Sequence, residues 1–169
     1  PVSIDTYKSA VAAAAIEAGA DLVNDIWGLK YDPEMAGLIA RTGVACCLMH
    51  NRDNTDYQNF LADFMSDMRE CVELAKNAGI ADDKIILDPG VGFGKTYEMN
   101  LEIIDKLEIM KELGYPVLLG TSRKSVIGLT LDLPVEEREE GTMVTTVYGV
   151  QKGCAFVRVH DVSYTHLRA

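Results

Sequence analysis

The chain has 169 residues, with 16 lysines and arginines against 26 aspartates and glutamates, which gives a formal net charge of −10 at pH 7. Its length fits one domain, and its 48% hydrophobic and 25% charged residues are typical of a globular protein rather than a disordered one. The acidic balance disfavours nucleic acid or an anionic bilayer as a partner. The longest apolar run, Ala10–Ile16, is far shorter than the ~20 residues that span a bilayer. The four cysteines have no metal-binding spacing, so we expect reduced thiols and a cytoplasmic location.

Short apolar segments alternate with longer segments of helical period along the chain. Strands are predicted at residues 1–5, 21–25, 44–49, 84–88, 117–120 and 154–159, and helices at 8–18, 33–43, 57–78, 101–113 and 136–151. Gly141 and Gly149 weaken the prediction of the last helix. This alternation predicts a parallel sheet with right-handed crossovers.

Two architectures fit this alternation, an open doubly wound sheet and a (β/α)8 barrel. In barrels the active site collects at the carboxyl ends of all strands, whereas open sheets concentrate it at one crevice. Polar residues follow every predicted strand: Asp5, Asn24, His50, Asp88, Ser122–Lys124 and Arg158–Asp161. We therefore expect an α/β TIM (β/α)8 barrel that is incomplete here, with about six of eight strands and two strand–helix units missing on the N-terminal side.

A glycine-rich loop, Gly90–Gly94, follows the fourth predicted strand. A P-loop requires glycine where Pro89 stands, and the dinucleotide fingerprint requires glycine where Lys95 stands, so both nucleotide readings are rejected. Asp88, directly after the strand, is an acid that can accept two parallel hydrogen bonds. An amidine-like N–H pair, as a guanidine-containing heterocycle presents, would supply them.

Two later segments carry groups that bind anions. The run Gly120–Ser125 combines lysine, arginine and serine beside a strand end, in a chain that is otherwise strongly acidic. Arg158 and His160 share one face of a strand, with Val159 on the other. Such a pair suits a phosphate or a diphosphate. His50, by contrast, is interpreted as a satisfied structural histidine rather than a ligand.

Six ordered segments resemble the dihydropteroate synthase family: Pro1–Tyr7, Asn24–Asp25, Leu48–His50, Asp88–Lys95, Gly120–Ser125 and Arg158–Val162. The resemblance implies a (β/α)8 barrel of the folate pathway, the target of sulfonamide drugs. Such enzymes join 6-hydroxymethyl-7,8-dihydropterin pyrophosphate to p-aminobenzoate and release 7,8-dihydropteroate and pyrophosphate, with Mg²⁺ assisting. It also implies a barrel domain over residues 1–162, a non-matching segment at 163–169, and a parent protein that forms a homodimer.

The resemblance implies roles for five residues at the pterin. Asp88 and Asn24 would hold the aminopyrimidinone edge, while Lys124 reaches a ring oxygen and a ring nitrogen. Asp5 would contact the pterin and stabilise positive charge as the pyrophosphate leaves. Arg158 would pack along the pterin. Asp5, Lys124 and Arg158 form the predicted catalytic group.

The resemblance also implies residues for the other two ligands. Arg158 and His160 would bind the pyrophosphate. Phe93, Lys124 and Ser125 would border the p-aminobenzoate pocket. The asparagine that this family uses at its Mg²⁺ site has no counterpart in the chain, so no metal ligand is predicted here.

Two alternatives remain beside the synthase. A pterin-dependent methyltransferase shares the barrel and the pterin site. The run Ser122–Ser125 and the pair Arg158 and His160 favour the synthase, because methyl transfer has no pyrophosphate to hold. The third reading is a pterin-binding fragment without catalytic activity.

Overall fold

The structure, a computed structural model, describes residues 1–161. Its strands are β1 (Ser3–Asp5), β2 (Leu22–Asp25), β3 (Ala45–Met49), β4 (Ile85–Asp88), β5 (Leu118–Leu119) and β6 (Phe156–Val157). Its α-helices are α1 (Ser9–Glu17), α2 (Met35–Thr42), α3 (Phe60–Ala78), α4 (Tyr97–Asp105), α5 (Ser125–Leu131) and α6 (Glu139–Lys152). Short 3₁₀ helices occupy Asp82–Lys84, Leu107–Leu113 and Val135–Glu137. Val162, the last residue of the predicted barrel domain, and the segment 163–169 lie outside the described residues.

The strands follow one another in parallel and in chain order. The strands β1 to β4 form one sheet, β5 pairs with β6, and a bridge between Leu87 and Val117 joins the two groups. A doubly wound sheet would reverse its strand order at a switch point, and residues 1–161 show no such reversal. The prediction of an incomplete (β/α)8 barrel is therefore confirmed. The end of β1 and the segment after β6 approach each other at Asp5 and Arg158, whose Oδ2 and Nη2 atoms lie 3.5 Å apart.

The hydrophobic core lies between the sheet and the helices outside it, with α3 as its main contributor. Phe64 and Met68 of α3 are fully buried together with Leu48 and Leu87 of the sheet. The buried positions of α3 recur every three or four residues, which is the spacing of one helical face. Asn59 caps the start of α3 by accepting a hydrogen bond from Ala62 N. None of the helices in residues 1–161 has the length and apolar character needed to cross a membrane.

The helix predicted at 101–113 begins earlier and divides in two. Thr96 caps α4 by accepting a hydrogen bond from Met99 N at 3.3 Å, so the helix starts at Tyr97. After Lys106 the chain tightens into a 3₁₀ helix that ends at Gly114, whose φ is 80°. The apolar pattern of this segment indicated helical structure but carried no information on the division.

Helix α5 was not predicted, and α6 contains the two glycines that weakened its prediction. Both glycines allow close packing. A Cβ at Gly149 would lie 2.5 Å from Leu119 Cδ2 of β5, and a Cβ at Gly141 would overlap the side chain of Ile127 in α5. The contact between α6 and its neighbours therefore requires small residues where helix propensity alone would disfavour them.

Candidate active site

The predicted site residues of the sheet share its inner face. In the register of the sheet, Asp5 of β1 lies beside Asn24 of β2. The same row of partners crosses β3 and reaches Ile86 of β4. Asp88 is two residues beyond Ile86 and therefore points to the same face. Together with Arg158 of the segment after β6, Asp5, Asn24 and Ile86 line a cavity of about 470 Å³. The structure thus brings the strand-end residues together, as the sequence predicts for a barrel.

Asp88 is the most buried acid of this face. Only 6% of the residue is exposed, and its Oδ1 accepts a hydrogen bond of 2.7 Å from Gly90 N. No described residue donates a hydrogen bond to Oδ2. Burial raises the pKa of this carboxyl, while the Gly90 N–H and the charges of Lys124, Lys95 and Arg158 oppose the rise. A buried carboxylate with one oxygen available suits a ligand that brings its own donors.

Asn24 and Asp5 form a second polar pair on the same face. Asn24 Nδ2 donates a hydrogen bond of 2.5 Å to Asp5 Oδ1. Asn24 Oδ1 is buried and has no partner within residues 1–161. A buried acceptor without a donor is costly unless a ligand supplies one. An N–H or O–H donor on a bound molecule would satisfy Asn24 Oδ1.

The glycine loop, defined as Gly90–Gly94, carries Phe93 to the open end of the cavity. Phe93, Asp5 and Ile26 line a hollow of about 470 Å³ together with Thr6, Tyr7 and Lys8. Lys124 lies over the Phe93 ring, with Nζ 5.0 Å from its centroid, and donates a hydrogen bond to the Val91 carbonyl. Burial lowers the pKa of Lys124, Asp88 raises it and Arg158 lowers it further. This loop thus places an aromatic ring beside a partly desolvated cation.

The run Gly120–Ser125 forms a loop that α6 holds in place. Arg123 has a φ of 56°, a left-handed conformation that a non-glycine residue adopts only under constraint. Thr142 Oγ1 accepts a hydrogen bond from Arg123 N at 3.1 Å, and Arg138 Nη1 donates to Arg123 O at 3.1 Å. Sequence analysis missed Arg138 and Thr142, because nothing in the pattern of α6 shows which residues face this loop.

Three predicted residues lie at the exposed end of the site. Arg158 Nη2 is 3.5 Å from Asp5 Oδ2, and the two side chains are 54% and 51% exposed. His160 N donates a hydrogen bond of 3.0 Å to Ser122 Oγ, which ties the segment after β6 to the loop after β5. Arg158 and His160 are both exposed, but β6 ends at Val157, so neither lies in a strand, and Val159 lines the same cavity as Arg158. The predicted strand at 154–159, with Arg158 and His160 on one face and Val159 on the other, is therefore wrong in this detail. The two side chains offer cationic or hydrogen-bonding groups beside an acid.

Ser125 is the first residue of α5 and is exposed. It lines a shallow hollow with Gly128, Leu129 and Arg138 rather than the hollow beside Phe93. Its role at p-aminobenzoate therefore stays a prediction.

His50 has the structural surroundings that the sequence analysis favoured. Met49, the residue before His50, points to the inner face of the sheet. Because side chains alternate along a strand, the His50 ring points outward to the helices. The ring is fully buried, 4.7 Å from the Phe64 ring centre, and hydrogen-bonds to Asp67 and Lys95. His50 takes no place in the inner cavity.

This site and its order of elements agree with a known family. The family model described as "Pterin binding enzyme" matches residues 1–160. The chain belongs to the pterin-binding enzyme family. The dihydropteroate synthase of Clostridium beijerinckii is 66% identical over 163 residues, which are 96% of this chain and 61% of that protein. The dihydropteroate synthase of Bacillus subtilis is 56% identical over 162 residues, 96% of this chain and 57% of that protein.

Solved structures of pterin-binding enzymes share the fold. The dihydropteroate synthase of Clostridium difficile, crystallised in the presence of pteroic acid, has a TM-score of 0.95 at 47% identity. The match covers 97% of this chain and 63% of that protein. The Yersinia pestis enzyme in a sulfonamide drug complex has a TM-score of 0.91 at 35% identity, with 96% and 62% covered. The Thermus thermophilus enzyme in complex with 4-aminobenzoate has a TM-score of 0.90 at 37% identity, with 96% and 65% covered. The chain spans about three fifths of the length of the curated relatives it matches.

Proposed function

We propose that this chain is the pterin-binding part of a dihydropteroate synthase. Such an enzyme condenses 6-hydroxymethyl-7,8-dihydropterin pyrophosphate with p-aminobenzoate to give 7,8-dihydropteroate and pyrophosphate. The observation that carries the proposal is a buried acceptor beside a buried acid on one face. Asn24 Oδ1 has no partner within residues 1–161, and the Asp88 carboxylate accepts one described hydrogen bond, from Gly90 N to Oδ1. The aminopyrimidinone edge of a pterin presents N–H donors for these two groups. The names of the relatives at 66% and 56% identity support it.

The pterin would bind by hydrogen bonds to groups that are already in position. Asp88 would accept two parallel N–H bonds, and Asn24 would accept a third. Lys124, partly desolvated and close enough to Asp88 to influence its pKa, would donate to the ring oxygen and ring nitrogen. Because these groups are buried, a ligand that lacked the donors would leave charged and polar atoms unpaired.

The reaction would proceed by positioning and charge stabilisation. The C–O bond between the pterin methylene and the diphosphate breaks, and its electron pair leaves with the diphosphate. The arylamine nitrogen forms the new C–N bond and then loses a proton to water. Asp5 would stabilise the positive charge on the methylene, while Arg158 and His160 would bind the departing diphosphate.

The second substrate would bind at the outer edge of the pterin site. The hollow beside Phe93 opens next to Asp5, and Lys124 lies over the Phe93 ring. We propose that Phe93 and Lys124 border p-aminobenzoate there and that sulfonamides compete for the same place. The part predicted for Ser125 would require it to reach this hollow from the neighbouring one that it lines. The Thermus thermophilus enzyme was solved with 4-aminobenzoate and the Yersinia pestis enzyme with a sulfonamide drug, which supports these two classes of ligand.

Magnesium stays a prediction of the family resemblance. Residues 1–161 contain no group of three His, Cys, Asp or Glu side chains that could hold a metal ion. None of the steps above depends on a metal ion.

We further propose that the parent protein forms a homodimer through an apolar groove, defined as the surface between α4, α5 and α6. The groove has a volume of about 370 Å³ and is lined by Leu101, Ile127, Leu131 and Val144. Val144 is 67% exposed, and Val147, one helical turn further on, is 53% exposed. An exposed apolar stripe of this kind is typical of a self-association surface. A protein that sediments as a monomer at every concentration would contradict this proposal.

A cytoplasmic location is also proposed, from the cysteines. Cys46, Cys47 and Cys71 are buried and unpaired, and Cys154 is half-buried and unpaired. Burial raises the pKa of Cys46 and Cys71 to about 12, so these thiols stay protonated. Reduced, unreactive thiols are typical of cytosolic proteins. Recovery of the protein in an oxidising compartment after cell fractionation would contradict it.

Two other functions make different predictions. A pterin-dependent methyltransferase would bind the pterin without any affinity for pyrophosphate at Arg158 and His160. A pterin-binding fragment without activity would bind the pterin and form no product. Titration with pyrophosphate separates the first from the synthase, and an assay for 7,8-dihydropteroate separates the second.

The test of the pterin site is a calorimetric titration of the chain with a pterin that lacks the pyrophosphate, run beside circular dichroism. We expect saturable binding that Asp88→Ala abolishes, because no other described residue can replace the buried carboxylate. The matched control is Asp83→Ala, at an exposed position before the same strand, which should bind as the unchanged chain does. Near-normal pterin affinity in folded Asp88→Ala would refute the site.

A further inference from the structure

A line of charged and polar side chains lies beneath the glycine loop, with His50 and Lys95 buried and Arg52 and Asp67 partly exposed. Arg52 Nε and Nη2 donate to the two oxygens of Asp67 at 2.6 and 3.1 Å. His50 Nε2 lies 3.0 Å from Asp67 Oδ2, and His50 Nδ1 lies 2.8 Å from Lys95 Nζ. We call this line, from Arg52 through Asp67 and His50 to Lys95, the buried relay. None of its four members lines the inner cavity or has a predicted contact with substrate.

The proton positions in the buried relay follow from its geometry. The His50 nitrogen that faces a carboxylate, Nε2, must carry the ring hydrogen, so Nδ1 is an acceptor. Burial lowers the pKa of His50 to about 4, although Asp67 opposes this, so the ring is neutral near pH 7. Lys95 therefore donates to His50, and Asp67 fixes the direction in which it does so.

Lys95 has two further acceptors, both in the glycine loop. Its Nζ lies 3.0 Å from Gly90 O and 3.0 Å from Phe93 O. With His50 Nδ1 these make three acceptors, which match the three donors of an ammonium group. The Phe64 ring also packs near the ammonium group, with its centroid 5.8 Å from Nζ. Lys95 is 9% exposed, so its hydrogen bonds are protected from water.

The two carbonyl groups that Lys95 binds are the ends of the turn that carries Phe93. Phe93 N donates to Gly90 O at 3.0 Å, and Gly90 N donates to Asp88 Oδ1 at 2.7 Å. Lys124 donates a hydrogen bond to the carbonyl of Val91, which lies between Gly90 and Phe93 in the turn. The conformation of this turn therefore decides both where the Phe93 ring lies and how the Asp88 carboxylate is oriented.

We propose that Lys95 is a positioning residue of the substrate site, held in place by Arg52, Asp67 and His50, and that it sets the glycine loop for the pterin and p-aminobenzoate. The proposal rests on the proposed function for the identity of these ligands, but its structural part concerns the loop alone. A network that only stabilised the fold would act on the whole protein. The buried relay instead ends on two carbonyl groups of one substrate loop.

The charges that face Lys95 come from each element packed against it. Asp88 of β4 and Asp67 of α3 raise its pKa, while Lys124 and Arg52 lower it. Burial is the largest influence and lowers the pKa to about 7. The charge of Lys95 near pH 7 therefore depends on its burial and on the charges around it, unlike the charge of an exposed lysine.

The first test measures hydrogen exchange of the loop without ligand. Three amides report on the loop: Gly90 bonded to Asp88, Gly92 bonded to Asn100 Oδ1 at 2.6 Å, and Phe93 bonded to Gly90. In Lys95→Met we expect exchange of the peptide covering residues 90–94 to rise by about tenfold or more, with β2 and α6 unchanged. Lys84→Met, the same substitution before β4, should leave the loop at its original rate.

Unchanged loop exchange in folded Lys95→Met would overturn the proposal. If Lys95→Met does not fold, Asp67→Asn decides, because it removes the charge that fixes the His50 tautomer but keeps a hydrogen-bonding amide. We expect this variant to raise loop exchange by about threefold or more. Loop exchange at the original rate in folded Asp67→Asn would then overturn the proposal.

The second test connects the loop to its ligand. Calorimetric titration with the pterin that lacks pyrophosphate should give an affinity about tenfold weaker in Lys95→Met than in Lys84→Met, at a temperature where both are fully folded. Equal affinities would overturn the positioning role. If the unchanged chain itself binds no pterin, the proposed function fails, whereas the exchange result still decides the role of Lys95 in the loop.

Discussion

The two ends of the site differ in how far water reaches them. At the glycine-loop end, Asp88 is 6% exposed and Lys95 is 9% exposed, and each has fixed hydrogen bonds. At the open end, where Asp5 and Arg158 lie, the two side chains are 51% and 54% exposed and make one long ion pair of 3.5 Å. The first end is desolvated and hydrogen-bonded, and the second is an open patch of charge.

This difference indicates that the two ends contribute to ligand binding in different ways. Buried, oriented hydrogen bonds discriminate between ligands, because a wrong ligand leaves buried polar atoms unpaired. Exposed charges contribute little to stability and are screened by salt, but they attract a highly charged group such as a diphosphate. We therefore expect changes at the buried end to affect folding and pterin recognition strongly, and changes at the open end to affect anion binding moderately.

The largest effect is expected for Gly90→Ala at the buried end. Gly90 has a φ of 64°, and a Cβ there would overlap the carbonyl oxygen of His50. We expect a loss of about 3–5 kcal/mol in the free energy of unfolding, measured by urea denaturation. The matched control is Gly92→Ala, with a φ of 87° but only an ordinary contact at 3.4 Å with Lys124, which should cost about 1 kcal/mol. Equal losses would show that the close approach to His50 is unimportant.

A smaller effect is expected from the titration of Lys95. The folded-state pKa of about 7 lies below the usual value of about 10.4 for an unfolded chain. Between these values the unfolded chain binds more protons, so the free energy of unfolding should rise with pH, by about 2 kcal/mol from pH 7 to pH 8.5. Lys95→Met should lack this rise, whereas Lys84→Met should keep it. Parallel pH profiles in all three proteins would assign the rise to other groups.

The smallest effect is expected at the open end, for Arg158→Ala. Pyrophosphate affinity, measured by calorimetry, should fall by about fivefold at low salt and less at high salt, because the charge is half exposed. Affinity for the pterin that lacks pyrophosphate should change by less than about twofold. Arg41→Ala, at an exposed position of α2, should change neither affinity. Equal losses for both ligands in Arg158→Ala would erase the distinction between the two ends.

Much of the fold was predictable because its signals are local. The strand β3 is a continuous apolar run, β4 is apolar up to Asp88, and α3 has a clear helical period bounded by Asn59 and Gly79. The inner-face residues were predictable for a related reason. In a parallel sheet, residues that end successive strands meet at one edge, so Asp5, Asn24 and Asp88 could be grouped before any coordinates were known.

What sequence analysis missed depends on contacts between distant segments. Helix α5 starts directly after the anion-binding run and has no capping side chain, so no local signal marks it. Gly149 disfavours a helix on propensity, yet α6 forms there because Leu119 packs against that glycine. The sequence predicts no role for Lys95, which rules out a dinucleotide fingerprint and ends the Asp88–Lys95 segment of the family resemblance. The hydrogen bond of Lys95 to His50 joins positions 45 residues apart.

The amino-acid sequence by itself determined the alternation of strands and helices, the order of the strand-end acids and cations, and the resemblance to the pterin-binding enzymes. These features depend on periodicity and on short motifs, which are properties of neighbouring residues. Only the tertiary structure decided that Asp88 keeps one oxygen available, that Asn24 has a buried acceptor without a donor, and that Lys95 supports the glycine loop from below. Burial and hydrogen-bond pairing depend on what the folded chain brings together across the sheet and the helices, and no local pattern contains that information.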